Sequence, residues 1–142
     1  MTKRELSQLY YLNREIEEQQ RRLEELECLA TSCTSRITGM PKSPNITDKL
    51  SKYAAEIADL RGLIDLNIKK CFYELNRLNR YISTVSDSQM RQILSLRYIN
   101  GLTWQQIAFS IGEYDESYVR RKHNKFLRDS ENGNLPKMSV FK

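Results

Sequence analysis

Apolar side chains recur at alternating steps of three and four along two long stretches of this sequence, and that spacing commits most of the chain to α-helix. The first stripe runs Leu9, Leu12, Ile16, Leu23, Leu26 and Ala30, with Gln19 filling one slot. The second runs Leu50, Tyr53, Ile57, Leu60, Ile64, Cys71, Leu75, Leu78 and Ile82, with Asn67 as a polar interruption. Such steps return a residue to the same side of a helix, whereas a strand requires steps of two. The first stripe is a heptad seam about three repeats long, and the second predicts a helix of roughly 35 residues. Between them, residues 31–45 are too rich in Ser, Thr, Gly and Pro to continue a helix, so the chain must turn or loop there. Two helices with matching seams fold back most simply as an antiparallel hairpin. The same seams are equally able to pair between chains, so a homodimer through the N-terminal helices stays open beside the hairpin's own core.

Composition agrees with an all-α chain. Of 142 residues only 5 are Gly and 3 are Pro, while good helix formers dominate. The expected organisation is a long, coiled-coil-like helical hairpin over residues 1–82, a small helix-turn-helix domain over 83–128, and a flexible tail over 129–142. No run approaches the ~18 consecutive apolar residues of a membrane span, and the opening Met1-Thr2-Lys3-Arg4-Glu5 leads into a charged helix, so a soluble cytoplasmic chain is expected. Cys28, Cys33 and Cys71 are odd in number and have no His at zinc-site spacing, which fits reduced thiols used as small apolar side chains. The sequon Asn45-Ile46-Thr47 is then accidental.

In the last third the spacing changes character. Ser83 to Ser88 has no period and separates the hairpin from the C-terminal segment. Ser86 with Gln89 makes a capping box for a helix that buries Met90, Ile93, Leu94 and Tyr98 and ends at Asn100-Gly101. Thr103 with Gln106 makes a second box, opening a short helix from Trp104 to Ile111, which Gly112 breaks. After the turn Glu113-Tyr114-Asp115, Asp115 is suited to cap a helix from Glu116 to about Arg128.

Charge is concentrated on that final helix. The net charge of +5 is modest, but Ser117 to Arg128 holds five basic residues and no acid. That is the electrostatic footprint to which a phosphate backbone responds. On a helical wheel Val119, His123, Phe126 and Leu127 share one side, packing against Trp104, Ile107, Ala108 and Ile111. Ser117, Tyr118, Arg121, Asn124, Lys125 and Arg128 share the opposite side, with Arg120 and Lys122 on the flanks. Arg120 and Arg121 have the paired donors that match guanine O6 and N7, and Asn124 matches adenine N6 and N7. Ser117 and Tyr118 can reach bases or phosphates near the helix start, while Lys122, Lys125 and Arg128 suit phosphates. Thr103 and Gln105 can bind a phosphate through the backbone amides that open their helix. The plainer alternative for all of them is a solvated basic surface. Trp104 and His123 fall on the buried side and are read as packing residues. No P-loop, dinucleotide-binding turn or metal-ligand cluster is present, so a non-enzyme without cofactors is expected.

The stretch Leu96-Arg97-Tyr98-Ile99-Asn100-Gly101-Leu102-Thr103-Trp104-Gln105-Gln106-Ile107-Ala108 resembles the helix-turn-helix of sigma-factor region four, which reads the promoter −35 element. The turn between Gly112 and Val119 is one residue longer than in most such domains. Residues 5–128 together resemble short prophage-encoded proteins whose helix-turn-helix is related to the ArpU and RinA regulators of phage late transcription. The likeness implies a transcription regulator of a phage or mobile element that binds double-stranded DNA, with or without contact to host RNA polymerase. It does not imply a full sigma factor, because no counterpart of the segment that melts the −10 element is present. Two alternatives compete: a DNA-packaging recognition protein of the small-terminase kind, and a protein-only adaptor of RNA polymerase.

Overall fold

The computed structural model describes residues 1–34 and 44–133, and among them the chain is all-helical. In order these are α1 (Lys3–Leu6), α2 (Gln8–Thr34), α3 (Pro44–Thr84), α4 (Ser88–Leu94) continued by a π turn (Ser95–Ile99), α5 (Trp104–Ile111) and α6 (Glu116–Glu131). The loop segment Thr38–Ser43, the side chains of Cys33 and of the sequon, and residues 134–142 of the expected tail lie outside the described residues. No helix among the described residues is long and apolar enough to cross a membrane.

Two compact units divide the chain. One comprises Leu12–Cys71, and the other joins Met1–Tyr11 to the chain from Phe72 onward.

In the Leu12–Cys71 unit, α2 and α3 run antiparallel. Cys71 Sγ lies 3.5 Å from Asn13 Oδ1, Asn67 Nδ2 donates to Gln19 Oε1 at 3.0 Å, and Arg61 pairs with Glu27 at 2.7 Å. Each partner steps backward along α3 as its mate steps forward along α2, which fixes the direction. Every seam position here is buried or half-buried, with Leu26, Ile64 and Asn67 the most enclosed. The two polar interruptions read separately in the sequence face each other, so the amide of one satisfies the other. An unmatched amide in that place would carry a desolvation cost of about 1–3 kcal/mol. Burial pushes the Cys71 thiol above its usual range, which suits a packing role rather than a reactive one. The helices are longer than the Ser/Thr/Pro content of residues 31–45 allows for. Thr31 and Ser32 lie within α2, where their hydroxyls donate to the carbonyls of Glu27 and Cys28 one turn back, a bond the helix accommodates. Pro44 opens α3 at the first helical position, where its missing N–H has no helical partner to lose.

In the other unit, Thr2 opens α1 with a capping box that the seam pattern does not reveal. Its hydroxyl accepts from the Glu5 amide at 3.3 Å, and its amide donates to Glu5 Oε2 at 2.8 Å. That bond, with Arg77 3.3 Å from the same carboxyl, holds Glu5 below the usual carboxylate range. The core gathers Leu6, Leu9, Leu78, Ile82 and Val85 with Met90, Ile93, Leu94, Tyr98, Ile107, Ala108, Val119 and Leu127, all at most 8 % exposed. This division differs from a boundary at residue 82, because both ends of the hairpin sequence supply core residues to the C-terminal helices. Val85, placed in the expected linker, is part of that core, and Arg91 Nη1 ties down its carbonyl at 2.6 Å. The cap of α4 is Asp87 rather than Ser86, with its Oδ1 accepting from the Gln89 amide at 3.0 Å. The i, i+3 spacing of Ser86 and Gln89 fits a box, but the shorter Asp87 turn is also held from outside by Lys122.

Candidate nucleic-acid interface

The two helices of the motif are bounded by local chemistry. Thr103 Oγ1 accepts from the Gln106 amide at 3.3 Å and Gln106 Oε1 accepts from the Thr103 amide at 3.0 Å, the reciprocal box its sequence encodes. Gly112 ends α5 at φ +79°, a left-handed conformation that a side chain would strain. Asp115 then accepts from the Ser117 amide at 2.8 Å and starts α6. The last helix runs three residues beyond Arg128, to Glu131.

A buried polar cluster fixes the inner side of α6. His123 is fully buried, and its Nε2 lies 2.8 Å from the Tyr98 hydroxyl while its Nδ1 lies 3.1 Å from Asn124 Oδ1. An amide oxygen only accepts, so Nδ1 carries the proton and the Tyr98 O–H donates to Nε2. The indole of Trp104 lies 4.8 Å from the imidazole, and the Arg97 guanidinium sits 4.6 Å above the indole. Arg97 also donates to the Leu102 carbonyl at 2.9 Å, so one side chain braces the turn between the π segment and α5. Burial, reinforced by the charges of Lys3 and Arg97, holds His123 below its ordinary pKa despite the Asn124 contact. Burial pushes Tyr98 up to about 12. The cluster is structural, as the wheel places it; Arg97 is a brace that periodicity could not indicate.

The outer side of α6 presents Tyr118, Arg120, Arg121, Asn124, Lys125 and Arg128 to solvent, with Ser117 half-buried at the start. Arg121 leans back along its own helix: its Nε donates to the Ser117 carbonyl at 3.2 Å, and its guanidinium lies 3.6 Å from Asp115. At 74 % side-chain exposure it remains open to a ligand, and so weak a pair resists little. Lys122 is placed differently. It is 3.1 Å from Asp87, bonds Gln89 as well, and its side chain is only 26 % exposed. Burial opposes ionisation of Asp87, but the Lys122 and Gln89 bonds outweigh it and hold the carboxyl below its usual range. Lys122 thus fastens α6 to the start of α4. Thr103 and Gln105 are exposed at the start of α5, but the Thr103 amide is committed to Gln106, leaving the Trp104 and Gln105 amides as the available donors.

Phe109 and Tyr114, around the turn, are 88 % and 107 % exposed, and no spacing in the sequence distinguishes them. Glu113, Asp115 and Glu116 collect at the amino end of α6, where the helix dipole favours them, so positive charge begins only at Arg120. Among the described residues no three His, Cys, Asp or Glu side chains group to hold a metal ion. Taken together, the fold and this surface define an all-helical protein with a helix-turn-helix whose second helix has one buried and one basic side. The chain matches no family model, no curated protein and no solved structure.

Proposed function

We propose that α5 and α6 form a DNA-reading helix-turn-helix, and that the chain is a cytoplasmic, sequence-specific transcription regulator of a phage or mobile element, like the sigma region-four domains its motif resembles. The observation that carries this reading is the separation of α6 into a side closed by Val119, His123 and Leu127 and an outer side that, from Ser117 to Arg128, bears Arg120, Arg121, Lys125 and Arg128 and no acid. A helix inserted in the major groove needs both: one side to fix its position, the other to meet base edges and phosphates. Because acidic groups crowd the first turn, base reading falls to Arg120, Arg121 and Asn124 in the middle of the helix, with Lys125 and Arg128 on phosphates. Lys122 supports the reading helix from behind.

Selection of binding sites from random duplex DNA, followed by a gel shift with the selected site, tests the reading. Arg121→Ala lowers affinity by about 1–3 kcal/mol and relaxes preference at one base position. Unchanged affinity and preference would overturn it.

A further inference from the structure

The seam of α3 is covered by α2, so a second copy of the chain cannot pair through it without opening the hairpin. A different stripe on α3, about 120° around the helix, is uncovered. It consists of Asp59, Leu63, Leu66 and Lys70, all exposed, with the two leucines at 45 % and 49 %. The spacing is palindromic: an acid, four residues to a leucine, three to a leucine, four to a base. Asp59 and Lys70 are three turns apart, too far to pair within one helix, and neither is in an ion pair among the described residues. At the edge of the stripe stands Gly62, where an added Cβ would meet nothing within 4 Å. A glycine inside a helix lowers its stability relative to alanine, and no packing among the described residues requires it here. It leaves room for another backbone to approach.

We propose that this stripe is a homodimer interface, in which α3 packs antiparallel on α3 of a second copy across a two-fold axis midway between Leu63 and Leu66. A two-fold interface must be complementary to itself, and the span from Asp59 to Lys70 is. Leu63 packs on Leu66 of the partner subunit, and Asp59 faces Lys70 of the partner subunit, with the same two contacts repeated across the axis. A parallel arrangement is excluded by charge, since it would set aspartate against aspartate and lysine against lysine. The proposal does not rest on DNA binding.

The experiment is sedimentation equilibrium of the full-length chain, freed of nucleic acid, over a concentration series reaching high micromolar. The wild-type chain associates to a dimer, and Leu66→Glu is monomeric with unchanged helical circular dichroism, because the position is exposed. Asp59→Lys and Lys70→Asp each raise the dimer dissociation constant about tenfold, since each places two like-charged pairs in the interface. The double variant D59K/K70D recreates both pairs and returns the constant to near the wild-type value. A wild-type monomer throughout the range, a Leu66→Glu chain that dimerises normally, or a double variant no tighter than the singles would each overturn the proposal.

Discussion

Tyr98→Phe removes one hydroxyl and little else, and the consequence can be worked out from the His123 environment. The hydroxyl donates to His123 Nε2 at 2.8 Å, where Tyr98 is 5 % exposed and His123 not at all. No water replaces the lost donor in so closed a place, so the imidazole keeps a buried, unpaired acceptor. That penalty is about 1–3 kcal/mol, which for a unit of this size lowers Tm by roughly 4–8 °C for each kcal/mol. Thermal unfolding monitored at 222 nm measures it. A second readout is specific to this site, because His123 is the only histidine of the chain. Its ring resonances therefore titrate without overlap in a simple NMR experiment. In the wild type the midpoint lies below the ordinary histidine value, since burial disfavours the imidazolium. In Tyr98→Phe the bond that favoured the neutral ring is gone, and the midpoint moves up. An unchanged Tm together with an unmoved midpoint would refute the reasoning.

Three further outcomes are expected. His123 is depressed in the folded state, so only the unfolded chain takes up its proton just below pH ~6.5; stability is full above that value and declines as pH falls, by at most about 1.4 kcal/mol per pH unit, a slope that His123→Leu removes in denaturant titrations. Asp115→Ala deletes the cap of α6 and lowers stability by about 1 kcal/mol in urea unfolding, with the exposed Arg121 contact adding little. On DNA, Lys125→Ala reduces the slope of log affinity against log salt by about one, whereas Lys122→Ala leaves the slope unchanged and lowers Tm, because Lys122 is tied to Asp87 and Gln89.

What the sequence discloses is governed by how far the deciding contact reaches. Thr103 with Gln106, Gly112 and Asp115 act on atoms within a few residues, and α5 and the start of α6 fall where those residues put them. The seams are equally plain, since period alone assigns Ile64 and Leu78 to the inside. Ser86 and Asp87 are both good caps locally, and the choice between them is reinforced by Lys122, 35 positions later. The same contact turns Lys122 inward, although a wheel drawn for α6 alone leaves it on a flank. Gln19 and Asn67 each look like a flaw in a stripe until the hairpin closes and makes them one hydrogen bond. Arg97 shows the limit most clearly: its partners, an indole ring and a carbonyl, leave no periodic trace.

The unit that holds the helix-turn-helix is discontinuous along the chain, with Met1–Tyr11 on one side of a 60-residue gap and Phe72 onward on the other. On a ribosome Met1–Tyr11 emerges long before the C-terminal helices that complete the unit holding Leu6 and Leu9. Joining the two pieces across a structureless gap of that length would carry a closure entropy of roughly 4 kcal/mol. The intervening segment removes most of that cost, because it zips on local contacts and brings Asn13 to within 3.5 Å of Cys71. The hairpin is therefore a closure device in folding time: contacts of high sequence separation become nearly local once it has formed. Severing its two helices, or disturbing their register at Gln19 and Asn67, slows the assembly of the C-terminal helices that neither residue belongs to.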